Sequence, residues 1–174
     1  MTILRFFMLM ALVIWVGGII FFSFVVAPTL FSVLPTRNLA GMVVTRALGA
    51  LHWIGIVCGV GFLICSLLEA HGSSGSWQAT AARSVLVAGM VVVTLISQLL
   101  VGARMAALRA QMGEIDGIPL ADPRRVAFNQ LHRWSTGLET AVLILGLAAI
   151  YVMARHWGVP ILNSGGARPL SSRV

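Results

Sequence analysis

The sequence predicts an all-α protein, an antiparallel four-helix transmembrane bundle with helices extended beyond the membrane on one side. Three observations predict it. Of 174 residues 59% are hydrophobic and 10% charged, against roughly a quarter charged in soluble domains, and the mean hydropathy is +0.96. The apolar residues gather into four runs, each able to cross a hydrocarbon core of ~30 Å at ~1.5 Å per residue. The net charge of +7 comes from 12 basic residues, all arginine, spread over the segment ends rather than gathered in one patch; this is membrane patterning and gives no support to a nucleic-acid partner.

The first segment, Ile3 to Val26, is too long an apolar run for a cleaved signal peptide, and its small-residue exit Ala27 is followed by Pro28. Trp15, Gly17 and Gly18 form a close-packing notch on it, read as a helix contact or as a ligand notch. The apolar stretch Pro28 to Pro35 lies between two prolines and reads as a short turn of interfacial helix. Thr36 then caps a helix running unbroken to about Glu69, ~50 Å long, so it protrudes from the bilayer. Gly55 and Gly59 supply a G-x-x-x-G pair for close helix contact. Cys58 and Cys65 are seven residues apart on this helix, ~10.5 Å along its axis, too far for a shared disulfide or a shared metal.

After a turn at His71 to Ser76 the third helix starts near Ala79, leaves its apolar run at Ala103 and continues to Met112, with Gly113 as its stop. Asp122 and Pro123 open the fourth, the carboxylate as N-cap and the proline at the first helical position. It runs to about Arg155. Residues 1–157 thus form one transmembrane domain, and 158–174 form a mobile polar tail. The 1–2 and 3–4 loops share one side of the membrane, with Arg37, Arg46, Arg104, Arg109, Arg124, Arg125 and Arg133; the termini and the 2–3 loop share the other, with Arg5, Arg83, Arg155, Arg168 and Arg173. Seven against five favours the first side as cytoplasmic.

The polar ladder Arg125, Asn129, His132, Ser135, Thr136 and Glu139 recurs at helical spacing on one face of the fourth helix, just before a charge-free run from Ala141 to Met153. An ionisable group at that depth is costly and is kept for function or for a specific pairing. Counting from the caps fixes its level. His52 is 16 residues after Thr36 and Glu139 is 17 after Asp122, so both lie at nearly one height. Ser97 and Gln98 fall close to it, and Arg104 lies at the rim, able to reach inward. His132 is ~9 Å shallower than His52. The expected pocket is therefore His52, Ser97, Gln98, Arg104, Asn129, His132, Ser135 and Glu139, read as a site for a cation, a proton or a small polar solute, or else as a buried ion pair that fixes register. Trp53, Trp134 and Trp157 read as interface anchors, and the methionines as packing residues. No His-x-x-x-His, Cys-x-x-Cys, Gly-x-Ser-x-Gly or phosphate-binding glycine loop is present, so hydrolytic, zinc or nucleotide-dependent activity has no support.

The first-helix stretch Trp15 to Pro28, with Leu51-His52-Trp53 and Phe128-Asn129-Gln130-Leu131-His132, resembles bacterial membrane proteins of unknown function that are similar to transmembrane protein 205, the animal protein associated with cisplatin resistance. The resemblance spans about residues 3–155. It implies a four-helix domain in a bacterial inner membrane and the handling of soft-metal compounds or other small solutes. The same helix is similar to the copper-resistance D and membrane protoporphyrinogen-oxidase families, whose metal- or haem-binding histidine falls where this chain has Phe7 and Met8. The expectation is a small transporter or permease-like protein for a small solute, cation or soft-metal compound, in a lipid bilayer, oligomeric because four helices enclose a narrow path, and with no cofactor required. The alternatives are a redox membrane protein binding haem b or a metal ion through His52 or His132, and a structural or assembly subunit.

Overall fold

The computed structural model describes residues 2–72, 77–112, 117–119 and 121–157. The expected turn after Gly72, most of the loop between the third and fourth helices, the mobile tail and the Trp157 side chain lie outside the described residues.

Four helical rods of 32 to 35 residues, Thr2–Val33, Arg37–His71, Thr80–Met112 and Pro123–Arg155, are long and apolar enough to cross a membrane. At ~1.5 Å per residue each is ~50 Å long, so all four outrun a ~30 Å core, including the first. The first rod is α1 (Thr2–Phe21), a π-helical turn at Phe22–Val26 and α2 (Ala27–Val33). The stretch after Pro28 is therefore no separate interfacial turn, as the two prolines suggested. Pro28 has no N–H and crowds the carbonyl four residues back; the widened turn relieves this, with the Ala27 N–H donating to the Phe22 carbonyl five residues back, and the helix continues. The second rod is α3 (Arg37–Gly72), and the third is α4 (Trp77–Ile96), a second π turn at Ser97–Gly102 and α5 (Ala103–Met112). The fourth is α6 (Pro123–Trp157).

Both expected caps are made. The Leu39 N–H donates to Thr36 Oγ1 at 3.1 Å, and the Arg124 N–H to Asp122 Oδ1 at 2.8 Å, with the Arg124 guanidinium on the same carboxylate. The Arg124 side chain holds the Asp122 carboxyl below the usual carboxylate range. A lowered folded-state pKa stabilises above the unfolded value and is lost as pH falls through the lowered one. Asp122→Ala should thus fray the start of α6, read as several-fold faster hydrogen exchange at the Arg124 amide, and acidification through the lowered carboxyl pKa should reduce that amide's protection relative to its intrinsic rate.

In the bundle α1 packs on α3 and α6, and α4 packs on the same two helices. The rods therefore form a ring in chain order, with α3 and α6 across a diagonal. Beyond the ring, on the side of the α2–α3 connection (side one below), α2 packs on α3 and α5 on α6. The core is a plug of Met8, Leu12, Trp15, Phe62, Val87, Met90, Val142, Ala149 and Met153, none more than 1% exposed. The outer surface is as apolar as the core: Phe6, Phe7, Ile14, Val57, Ile64, Leu67, Val85, Val92, Ile144 and Leu147 are all exposed. A continuous belt of this kind faces lipid. Trp53 and Trp134 lie on the outer surface as well.

Three glycines of the first two rods, Gly18, Gly55 and Gly59, admit bulky neighbours. A Cβ on Gly55 would stand 2.2 Å from Trp15 Nε1, and one on Gly59 2.7 Å from Trp15 Cζ3; the G-x-x-x-G notch of α3 receives the Trp15 indole rather than another backbone. Gly18 receives Leu51, whose Cδ1 would lie 2.7 Å from an added Cβ, whereas Gly17 is exposed with nothing within 4 Å. Gly17 therefore belongs to no packing notch. It is one residue, ~100°, round the helix from Gly18, which turns it away from α3.

Candidate functional site

His52, Gln98 and Glu139 meet inside the ring, from the second, third and fourth rods. His52 Nδ1 is 2.9 Å from Gln98 Oε1, and its Nε2 is 2.8 Å from Glu139 Oε2. An amide oxygen only accepts, so Nδ1 carries a hydrogen and donates it. Nε2 and the carboxyl then hold one proton between them, as imidazolium donating to carboxylate or as carboxyl O–H donating to imidazole. His52 is buried, and the Glu139 side chain keeps 14% of its surface exposed. The second oxygen, Glu139 Oε1, is buried without a hydrogen-bond partner. The pair thus ties the diagonal helices α3 and α6 through a hydrogen-bonded bridge that leaves one strong acceptor unfilled.

Local sequence explains the convergence. His52 and Glu139 stand almost equally far from the caps of two parallel helices. Gln98 sits in the π turn of the third rod, a widened turn of a type often found at functional sites, and its amide packs near Gly49, where an added Cβ would be in ordinary contact with Nε2 at 3.6 Å.

The other expected members do not join this network. Ser97 is buried but makes no side-chain hydrogen bond to the three, and Ser135 is half-buried with none. Arg104 is exposed on α5: six residues past Gln98 is not a same-face spacing, and the π turn between them adds to the mismatch. Asn129 and His132 are exposed and line a shallow surface depression with Val126 and Arg133. The covered stripe of α6 runs through Phe128, Leu131, Ser135, Leu138 and Val142, one residue off His132. Thr136 turns its hydroxyl onto its own helix, donating to the His132 carbonyl at 3.0 Å. The polar ladder is thus a spiral, of which Glu139 alone reaches the interior bridge.

A second buried charge cluster closes the opposite end of the bundle, and sequence reasoning missed it. Glu69, at the end of α3, is buried; it accepts from Arg5 Nε at 2.6 Å and from Arg83 Nη2, with Arg83 buried too. Ser66 and Ser84 hydrogen-bond one turn deeper at 2.8 Å. The available signal was Glu69 itself: a carboxylate in the last turn of a helix opposes the macrodipole, so it needs cations, and Arg5 and Arg83 lie at that same membrane side. Glu69 is 17 residues from His52 on α3, or ~26 Å, with the apolar plug between the two polar layers.

Among the described residues no three His, Cys, Asp or Glu side chains gather into a metal-binding group. Both His52 ring nitrogens are engaged, so neither is open to a haem iron or metal ion while those bonds stand. A family model described as a domain of unknown function (DUF4149) matches residues 10–114. No curated protein and no solved structure matches the chain.

Proposed function

We propose that this chain, which belongs to the DUF4149 family, is a multi-pass membrane permease for a small solute or cation, with the His52–Glu139 pair as its proton-exchanging site. The observation that carries the reading is Glu139 Oε1, a buried carboxyl oxygen without a partner, beside an imidazole already bonded to the other oxygen. A charged group in such surroundings is held by a cation or takes up a proton. Because the pair shares one proton, a monovalent cation arriving at Oε1 releases that proton from Nε2, and the site keeps its charge. The exchange is one for one. Na+, K+ and a soft ion such as Ag+ all meet the charge condition. The seven arginines of side one against five on the other support a cytoplasmic side one, and the narrowness of a four-rod interior supports a homo-oligomer as the working unit.

The test is flux in proteoliposomes enclosing a pH-sensitive dye. Inward gradients of Na+, K+ or Ag+ imposed on the wild-type chain should drive protons out of the vesicles. Glu139→Gln keeps the shape and a hydrogen bond to His52 but cannot exchange a proton, so it should abolish the signal at an unchanged thermal midpoint. Equal flux in Glu139→Gln, or none in the wild type with any of the three ions, would defeat this reading.

A further inference from the structure

On side one α2 packs with α3 and α5 with α6, and Arg109 reaches across the seam between the two pairs. Arg109 of α5 lies with its guanidinium 5.4 Å from the centroid of the Phe128 ring of α6, and its Nη1 donates to Thr45 Oγ1 of α3 at a long 3.3 Å. Its Nη2 lies against Gly41 of α3, where an added Cβ would come within 2.8 Å. An alanine there would make the guanidinium shift.

This arginine is under-satisfied. Among the described residues no carboxylate pairs with Arg109, and its Nε–H is buried without an acceptor. One turn before Gly41 on the same face of α3, Asn38 Oδ1 is buried without a donor. A guanidinium has five N–H donors in a fork that matches a phosphate or carboxylate, and buried polar groups left unpaired call for an occupant. Among the described residues of side one the Asp122 carboxylate is engaged by Arg124. Arg109 is 11 residues beyond Gln98, ~16 Å further towards side one.

We infer that the Arg109 seam, formed with Gly41, Thr45, Phe128 and Asn38, is a binding site for a phosphate group that carries a hydroxyl. The phosphate oxygens take the guanidinium donors, and the hydroxyl donates to Asn38 Oδ1. Two sources share this chemistry, the glycerol phosphate headgroup of an anionic lipid and free hydrogen phosphate. The site is separate from the His52–Glu139 bridge, and it stands whether or not that bridge exchanges protons.

The test uses the full chain in mild detergent with three probes, short-chain phosphatidylglycerol, short-chain phosphatidylcholine and inorganic phosphate, reading thermal midpoint and apparent affinity. Phosphatidylglycerol should raise the midpoint by several degrees and phosphatidylcholine should not; protection by inorganic phosphate as well would make the free ion a sufficient ligand. Arg109→Gln should weaken binding about tenfold, the loss expected of one charge-assisted contact, whereas Arg104→Gln removes the same charge from the exposed side of α5 and should leave it unchanged. Should Arg109→Gln fold poorly, Gly41→Ala displaces the guanidinium with all charges kept and should weaken binding likewise. Equal losses in the Arg104 and Arg109 variants would mean diffuse attraction by side one and overturn the inference, as would equal protection by the two lipids or none from any probe.

Discussion

Glu69→Ala is expected to destabilise the bundle by about 3 kcal/mol, the lower end of the range for breaking a buried pair by removing one partner. The cost comes from what stays behind. Arg83 has 8% of its side chain exposed, and its Nε is already without an acceptor; without Glu69 its remaining contact is a 3.4 Å approach of Nη2 to Thr80 Oγ1. Arg5, with 47% of its side chain exposed, can turn to water or headgroups and should matter less. Arg5→Ala should therefore cost under about 1 kcal/mol. The double variant Glu69→Ala, Arg83→Leu removes both charges and should recover most of the loss, since an apolar replacement of a buried pair is often neutral or stabilising. Reversible unfolding in detergent measures all three against the wild type. A double variant no more stable than Glu69→Ala would mean that the carboxylate, and not the orphaned guanidinium, carries the energy.

That cluster also shows what the sequence could and could not disclose. Rods, caps and the common level of His52, Gln98 and Glu139 were legible because each follows from counting along a helix: 1.5 Å per residue converts position into height with little error. Angular position is less forgiving. Each residue adds ~100°, so an error of one residue, or one π turn, swings a side chain from interior to lipid. That is why Arg104, Asn129 and His132, expected to line the mouth of the pocket, are exposed instead. The two π turns were illegible for another reason, since the sequence marks only the first, through Pro28. Glu69 was overlooked because a residue at a helix end reads as surface until its neighbours are known.

The two polar layers constrain how the protein can work. His52 lies towards side one and Glu69 closes the far side, with ~26 Å of α3 between them. The layer near side one joins helices across the ring's diagonal, α3 to α6. The far layer joins α1, α3 and α4.

Trp15→Ala is expected to cost about 3 kcal/mol, and its interaction with Gly55 should be larger than either residue's exposure would suggest. The indole is 1% exposed and fills the notch between Gly55 and Gly59. Truncation of a buried tryptophan in a soluble core costs roughly 3–5 kcal/mol, part of it transfer of apolar surface from water. Within a bilayer the transfer part falls away, because lipid is as apolar as the core, and lost packing contacts remain; the lower end of the range is the appropriate expectation. Gly55→Ala acts through the same contact from the other side. Its Cβ would overlap Trp15 Nε1 at 2.2 Å, and the neighbour is a rigid ring fixed among core residues rather than a flexible chain end. Overpacking of this kind costs about 1–3 kcal/mol. In the Trp15→Ala background the overlap is gone and the methyl group fills part of the cavity, so Gly55→Ala should become neutral or stabilising. Thermal unfolding of the two single variants and the double variant closes the cycle. Additive losses would mean that α1 and α3 do not meet through the indole, and would remove the seat of the core from that notch.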